Sequence, residues 1–261
     1  MQDEATRAWN IHSALYYKAG GTPWRLKRLS TALDTCFVGI SFYRSLDRSN
    51  LSTSIAQIFN ERGEGVVIRG SVATVSKDDL QPHLREEDAF QLLKEALKLY
   101  KREHQNLPAR LVVHKTSSYS EGERTGFDQA IAEAEISTHD LLHLRPSDLR
   151  LYRDGVYPPL RGTTLEVESD EFILYTKGSV PFFQTYPGMY VPRPLGIRMV
   201  SSEQTIRFLA HEILSLTKLN WNTTQFDGGD PVTIQASREV AQVLRFCGDK
   251  QIIAPRYAFY M

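Results

Sequence analysis

Arg153-Asp154-Gly155 is the grouping in this chain that most invites a chemical reading, because it follows a short apolar segment and carries an acid. A two-metal nuclease needs several carboxylates converging at the ends of neighbouring strands, to hold Mg²⁺ ions about 4 Å apart. Asp154 also suits a plain turn, since Asp-Gly is a favoured turn pair. Other chemistries lose their main signals. The seven histidines are scattered and no cysteine–histidine spacing suits zinc. No GxxxxGK[ST], GxGxxG or Gly-x-Ser-x-Gly is present, which removes the usual marks of nucleotide cofactors and hydrolase triads.

The ends of two apolar runs are more informative for what they lack. Val38-Gly39-Ile40-Ser41 ends in a hydroxyl, and Val112-Val113-His114-Lys115-Thr116 does the same. Neither Ser41 nor Thr116 supplies the anionic oxygen that Mg²⁺ prefers.

These positions must be carried by regular elements. Cys36–Tyr43 is a continuous apolar run of strand length, suited to burial on both faces. Ile55, Ile58 and Phe59 follow at helical spacing, and Val66–Ile68 reads as a second strand. Residues 86–104 are the clearest helix, with Ala89, Phe90, Leu93, Ala96, Leu97 and Tyr100 recurring at three and four. Leu111–His114 reads as a third strand, followed by a helix with Phe127, Ala130, Ile131 and Ala134 on one face. Short strands are expected at 140–144, 149–152, 163–167 and 171–176, and a helix opening at Ser202. Asp230-Pro231 looks like an N-cap and first-turn proline of a last helix. Alternating strands and helices imply an α/β class with a mixed sheet.

Composition narrows the rest. The chain has 261 residues and 29.7 kDa, 41% apolar and 24% charged, a globular mix. It contains no apolar run long enough for a transmembrane helix. The acidic start, Met1-Gln2-Asp3-Glu4, lacks the layout of a signal peptide. Cys36 and Cys247 sit apart in apolar contexts, so buried thiols and a cytoplasmic location are expected. The 31 bases balance 31 acids, so bulk charge gives no reason for nucleic-acid binding. Patterning gives one. Residues 5–33 and 172–202 hold bases and no acid, whereas 77–95 is predominantly acidic, an arrangement that can separate a basic face from an acidic one.

The motifs also have an order. Tyr17-Lys18-Ala19-Gly20-Gly21-Thr22-Pro23-Trp24 is followed by the runs ending at Ser41 and Thr116, with Glu121-Gly122 behind the second. Tyr175-Thr176-Lys177-Gly178, Pro192-Arg193-Pro194, Lys218-Leu219-Asn220-Trp221-Asn222 and Pro231–Ser237 complete the series. From about Trp9 to about Phe246 the chain resembles the PIWI domain of the Argonaute family, in particular its prokaryotic branch. The resemblance implies an RNase H-like mixed sheet flanked by helices over 1–261, holding a guide strand (RNA) paired to a target (DNA), in prokaryotic defence. Cleaving members place an Asp where this chain has Ser41 and Thr116, and an Asp or His where it has Ser237. The likeness is therefore to nuclease-inactive forms, with no catalytic metal, that work with a separate effector chain. Asp154 belongs to a later segment, and the resemblance assigns the family's mobile glutamate to no particular position here. A MID domain, which precedes PIWI in the family, is expected on another chain or in a missing segment. The family also places the chain end near the guide's 5′ phosphate, which would bring the Met261 carboxylate to a Mg²⁺ bound there.

Phosphate contacts call for Lys, Arg or backbone N–H groups. Lys18 beside Gly20-Gly21 permits close backbone approach, though the glycines also fit a turn. Lys218 and Asn222 flank Trp221, which suits a core position or a stacking platform. Arg238 and Arg245 are seven apart on one helical face, fit for a guide-end phosphate or for ion pairs with Glu239 or Asp249. Lys115 could take the backbone where metals are missing, while His114 suits an ordinary strand. Two rivals remain open: an active Mg²⁺ nuclease drawing on Asp154 with Asp78, Asp79 or Glu87, and a protein-binding module using the aromatic loop from Pro181 to Pro194.

Overall fold

The structure is a computed structural model. It describes all residues except 1–2, 27–32, 45–50, 60–64, 153, 156–157, 184–185, 187–190, 222–227, 248–255, 258–259 and 261, and of 51–59 and 183 the backbone only.

Helix α1 (Glu4–Lys18) is capped by Asp3, whose side chain accepts from the Thr6 N–H at 2.9 Å. It stops at the glycine pair, where Gly20 and Gly21 N–H groups donate to Tyr17 and Tyr16 carbonyls. Strand β1 (Thr35–Arg44) follows and is buried from Thr35 to Ser41, as its unbroken apolar run requires. Strand β2 (Leu51–Phe59) runs antiparallel to it. This corrects the helical expectation for Ile55, Ile58 and Phe59. Cross-strand pairing with β1 decides the conformation, and a spacing of three across so short a segment does not specify a helix. Strand β3 (Gly65–Val67) and a small hairpin of β4 (Thr74–Val75) and β5 (Pro82–His83) come next.

Helix α2 (Glu86–His104) starts with three acids and ends with Lys101, Arg102 and His104, matching both ends of its dipole. Strand β6 (Arg110–Lys115) pairs parallel with β1. Helix α3 (Glu121–Glu133) opens on a full capping box between Ser120 and Glu123. It packs so closely on α2 that a Cβ on Gly126 would lie 2.2 Å from the Glu86 carbonyl oxygen. Strand β7 (Thr138–Pro146) is parallel to β6. Strands β8 (Thr164–Glu168) and β9 (Glu171–Leu174) form a hairpin at the far side. The strand expected at 149–152 is absent: Tyr152 is 79% exposed, and the segment joins no sheet. A 3₁₀ turn (Pro181–Phe183) leaves Phe182 86% exposed, so it does not find the burial expected of it.

Strand β10 (Leu195–Ser201) lies between β7 and β9. The alternation Leu195, Ile197, Met199 was its signal, masked by the adjacent prolines. Helix α4 (Ile206–Leu216) opens at Thr205 and not at Ser202, whose hydroxyl instead donates to Asp140. Helix α5 (Val232–Leu244) has Pro231 as its N-cap, one residue later than expected, which frees Asp230 for an ion pair with Arg238.

Eight strands make one mixed sheet in the order β3-β2-β1-β6-β7-β10-β9-β8. Its core has two sides. Phe37, Val112, Leu142 and Ile197 pack with α4 and α5, while Cys36, Val38, Ile40, Val113 and Leu141 pack with α2 and α3. This is the mixed sheet flanked by helices expected from the sequence. Both cysteines are free thiols, and burial pushes Cys36 far above its ordinary pKa. No described helix is long and apolar enough to cross a membrane.

Candidate nucleic-acid interface

The parallel pairing of β1 and β6 aligns Ile40 with Lys115, so Ser41 and Thr116 come next to each other at the carboxyl ends of adjacent strands. The Thr116 N–H donates to the Ile40 carbonyl at 3.2 Å and continues the ladder past the strand end. Alternation puts Gly39 and Ser41 of β1, and His114 and Thr116 of β6, on the side of α5. The helix lies directly on them: a Cβ on Gly39 would sit 2.1 Å from the Thr233 carbonyl oxygen. His114 Nδ1 and Thr233 Oγ1 share a hydrogen bond of 2.8 Å. Ser237, one helical turn on from Thr233, donates to the Ile234 carbonyl. Ser41, Thr116 and Ser237, the three positions singled out in the sequence, thus lie on one face of the sheet, and all three carry hydroxyls.

His114 adds no charge to this floor. Burial and the nearby Arg110 push its pKa down to about 3, so the ring is neutral near pH 7. Hydroxyls and a neutral imidazole give a Mg²⁺ pair no anionic oxygen, so these four side chains by themselves do not fit a catalytic metal centre. Among the described residues, no three of His, Cys, Asp and Glu group as metal ligands. Asp154 sits in an exposed turn before Gly155, whose φ is +74°. Asp78 and Asp79 lie on the β4–β5 hairpin, and Glu87 is exposed in the first turn of α2. Arg153 is outside the described residues.

Lys115 overturns an expectation. Its side chain is fully buried on the opposite face of the sheet, so it presents no charge to a nucleic acid. Its ammonium donates to Ser117 Oγ and the Ser118 carbonyl, both at 2.6 Å, and to Glu123 at 3.1 Å. It also lies 5.2 Å from the ring centres of Phe42 and Tyr119. Desolvation outweighs Glu123 and lowers its pKa to about 8. Glu123 in turn accepts from the Leu84 and Ser120 N–H groups at 2.8 and 2.9 Å, and contacts His83 Nδ1 at 3.0 Å. Asp79 closes the chain on the outer side of His83 at 2.9 Å and accepts from Ser118 Oγ at 2.7 Å, which hold its carboxyl well below the usual range. The cluster fastens the β4–β5 hairpin to the turn before α3.

Other cations do face outward. Lys18 and Lys218 are both exposed. One aromatic cluster holds the segments that carry them: Tyr17 and Trp24 pack edge-on against buried Trp221, at 4.7 and 6.3 Å, and Trp24 Nε1 donates to the Lys218 carbonyl at 2.7 Å. Trp221 therefore has a core role. The glycine pair after Lys18 serves as the helix stop described above. Asn222, Met261 and Asp249 lie outside the described residues.

Arg238 and Arg245 do share one face of α5, as their spacing requires. Arg238 pairs with Asp230, and Arg245 lies 5.7 Å from the Phe246 ring centre. Glu239, one of their expected partners, is instead engaged by Gln235 and by the Tyr257 hydroxyl at 2.8 Å. Between this helix face and the end of β1 lies a cleft of about 300 Å³, and Arg44 forms part of its wall beside Tyr43. Sequence reasoning missed Arg44, because strand ends were searched for acids. Its signal was available: it is the one charged residue of β1.

No family model matches the chain. It is similar to a curated Argonaute protein of Aquifex aeolicus strain VF5, 23% identical over 218 residues, which cover 83% of this chain and 28% of that protein. Among solved structures, Clostridium butyricum Argonaute bound to a guide DNA and a 19-mer target DNA matches with TM-score 0.74 and 14% identity, covering 94% of this chain and 32% of that one. The crystal structure of A. aeolicus Argonaute matches with TM-score 0.66 and 21% identity, over 95% and 33%. Marinitoga piezophila Argonaute in complex with a 5′-OH guide RNA matches with TM-score 0.65 and 13% identity, over 96% and 36%. The chain spans about a third of the length of these relatives. The chain is thus similar in sequence to part of one Argonaute protein and shares its fold with part of the solved Argonautes.

Proposed function

We propose that the chain is a nuclease-inactive PIWI domain that helps bind a guide strand paired to its target. One juxtaposition carries this reading: Ser41 of β1, Thr116 just after β6 and Ser237 within α5, the positions the resemblance assigns to the nuclease site, carry hydroxyls, and a cleft walled by three arginines lies between α5 and the end of β1. Such a surface holds phosphates and has no means to activate a water through Mg²⁺. Recognition runs through backbone charge and shape, and base pairing supplies the sequence information. The relatives bound to guide DNA, target DNA and guide RNA support a nucleic-acid ligand. The RNA guide, DNA target, MID-bearing partner, effector chain and defensive role rest on the family resemblance.

The test is binding and cleavage together. Guide RNA and guide DNA, each annealed to a labelled complementary DNA, are incubated with the chain in Mg²⁺ and in Mn²⁺. Retention on a filter with no guided cleavage is the expected result. Guided cleavage by the unmodified chain, lost in Asp154→Ala, overturns the inactive assignment and restores the nuclease alternative. Failure to retain either duplex overturns the nucleic-acid reading and favours the protein-binding alternative, for which the exposed Phe182 turn is the place to look.

A further inference from the structure

Helix α1 is built inside out. Its inward face carries Thr6, Asn10, Ser13 and Tyr17, spaced three and four apart, and Ser13 is its one buried residue. Its outward face carries Ile11, Leu15, His12 and Tyr16, and leaves Ile11 62% and Leu15 63% exposed. A surface helix ordinarily turns its apolar stripe to the core. An apolar face turned to solvent marks an interaction site. The surroundings of this one are basic: Arg7, Lys18 and Arg25 are exposed, and residues 5–26 contain no acid.

A second exposed apolar group has the opposite charge around it. The β4–β5 turn holds Leu80 78% exposed, in the left-handed region at φ +56°, which a leucine rarely adopts. Its neighbours impose that conformation. Asp79 accepts from the Gln81 N–H at 3.0 Å, the Gln81 carbonyl accepts from the Ser76 N–H at 2.9 Å, and the Gln81 side chain accepts from the Ser118 N–H at 2.8 Å. Backbone strain persists only where the surrounding structure over-determines it, and it collects at functional sites. Residues 77–95 hold six acids against three bases, and Asp78 carries no ion pair among the described residues.

The two groups belong to opposite sides of the sheet. Tyr17 and Trp24 join α1 to the core on the side of α4 and α5, whereas Leu84 and the Glu123 cluster join the hairpin to the side of α2 and α3. With the sheet between them, the hairpin is turned away from its own α1 and is open to that of another copy. Two α1 faces docked on each other would bring their bases together, so charge favours the unlike pair.

We propose that the acidic hairpin of one copy, led by Leu80, docks on the basic-rimmed apolar face of α1 in a second copy. The contact joins unlike patches, so it repeats from copy to copy as a head-to-tail chain. The inference does not rest on the nucleic-acid reading above.

The experiment is sedimentation velocity of the full chain, freed of nucleic acid, over a series of protein and salt concentrations. The wild-type chain should grow beyond a dimer as its concentration rises, and should dissociate as salt screens the charges. Leu15→Asn and Leu80→Asn should each weaken self-association roughly tenfold. Their mixture tests the geometry. One variant keeps its hairpin and the other its α1 face, so together they should form one-to-one dimers of wild-type affinity and nothing larger. Leu80→Asn should not lower the thermal unfolding temperature, because asparagine accepts the left-handed region more readily than leucine. Its lost association is then not a lost fold. A chain that stays monomeric at every concentration overturns the inference and leaves the α1 face to a different protein. A closed dimer lost in Leu15→Asn and kept in Leu80→Asn means that two α1 faces meet, and overturns it as well. So does a mixture that fails to pair. Association lost in Phe182→Ser and kept in both other variants moves the contact to that turn and overturns it too.

Discussion

Two sets of cations stand at the same end of the sheet, on opposite faces, and they have opposite fates. On the α2–α3 side, Lys115 is sealed from water and surrounded by Glu123, two serines and two aromatic rings. On the α5 side, Arg44, Arg238 and Arg245 remain exposed around an open cleft. Lys115 and Arg44 close their strands, Arg245 caps α5 and Arg238 lies in its middle. One step along β6 separates the buried lysine from Thr116, which faces the other way. On β6, strand parity thus turns Lys115 into the protein on the side away from α5.

The contrast can be broken most severely from the buried side. Glu123→Ala leaves the Lys115 ammonium and two backbone N–H groups without their acceptor, so unfolding in urea should show a loss of about 3–5 kcal/mol. Lys115→Met combined with Glu123→Ala should lose less than the sum of the two single changes, because the orphaned charge is gone. Gly39→Ala probes the other face through packing alone. Its new methyl meets the Thr233 carbonyl, and a loss of about 1–3 kcal/mol is expected, with α5 pushed off the strand ends.

Acid tests the buried groups together. Burial lowers His114 to about 3 and His143 to about 4, so the unfolded chain takes up these protons first as pH falls. The stability they contribute is complete above pH 6.5 and is lost on descent toward those values. Each histidine should cost about 1.4 kcal/mol per pH unit within that window. Urea midpoints between pH 7 and pH 5 measure the slope, and His114→Gln should reduce it. The smallest stability effect belongs to the cleft. Arg44→Ala should stay within about 0.5 kcal/mol of the wild type, although it weakens nucleic-acid binding. A large destabilisation there would mean that the two faces do not differ as described.

Elements whose burial is uniform were legible in the sequence. Residues 36–43 declare a two-faced strand, and the spacing in 86–104 declares a helix. The hydroxyls at Ser41, Thr116 and Ser237 were legible as well, because position along an element can be counted. Properties that depend on partners distant in sequence were not. Strand β2 forms because β1 is beside it, and β10 because β7 and β9 flank it. Lys115 is buried because Glu123, eight residues on, offers it a carboxylate inside the protein. Arg44 gains meaning only when α5, nearly two hundred residues later, lies against its strand.

The Glu123 cluster has a consequence for how relatives of this chain should diverge. One carboxylate serves an ammonium, two backbone donors and an imidazole, so no member can change alone without stranding the others. Arginines around an open cleft are under no such constraint, since a cation one turn away can reach the same strand of phosphates. Among homologues, positions 83, 115 and 123 should therefore vary as a set or hardly at all, while 44, 238 and 245 drift and compensate. The positions that look most invariant would then be those that never touch a ligand.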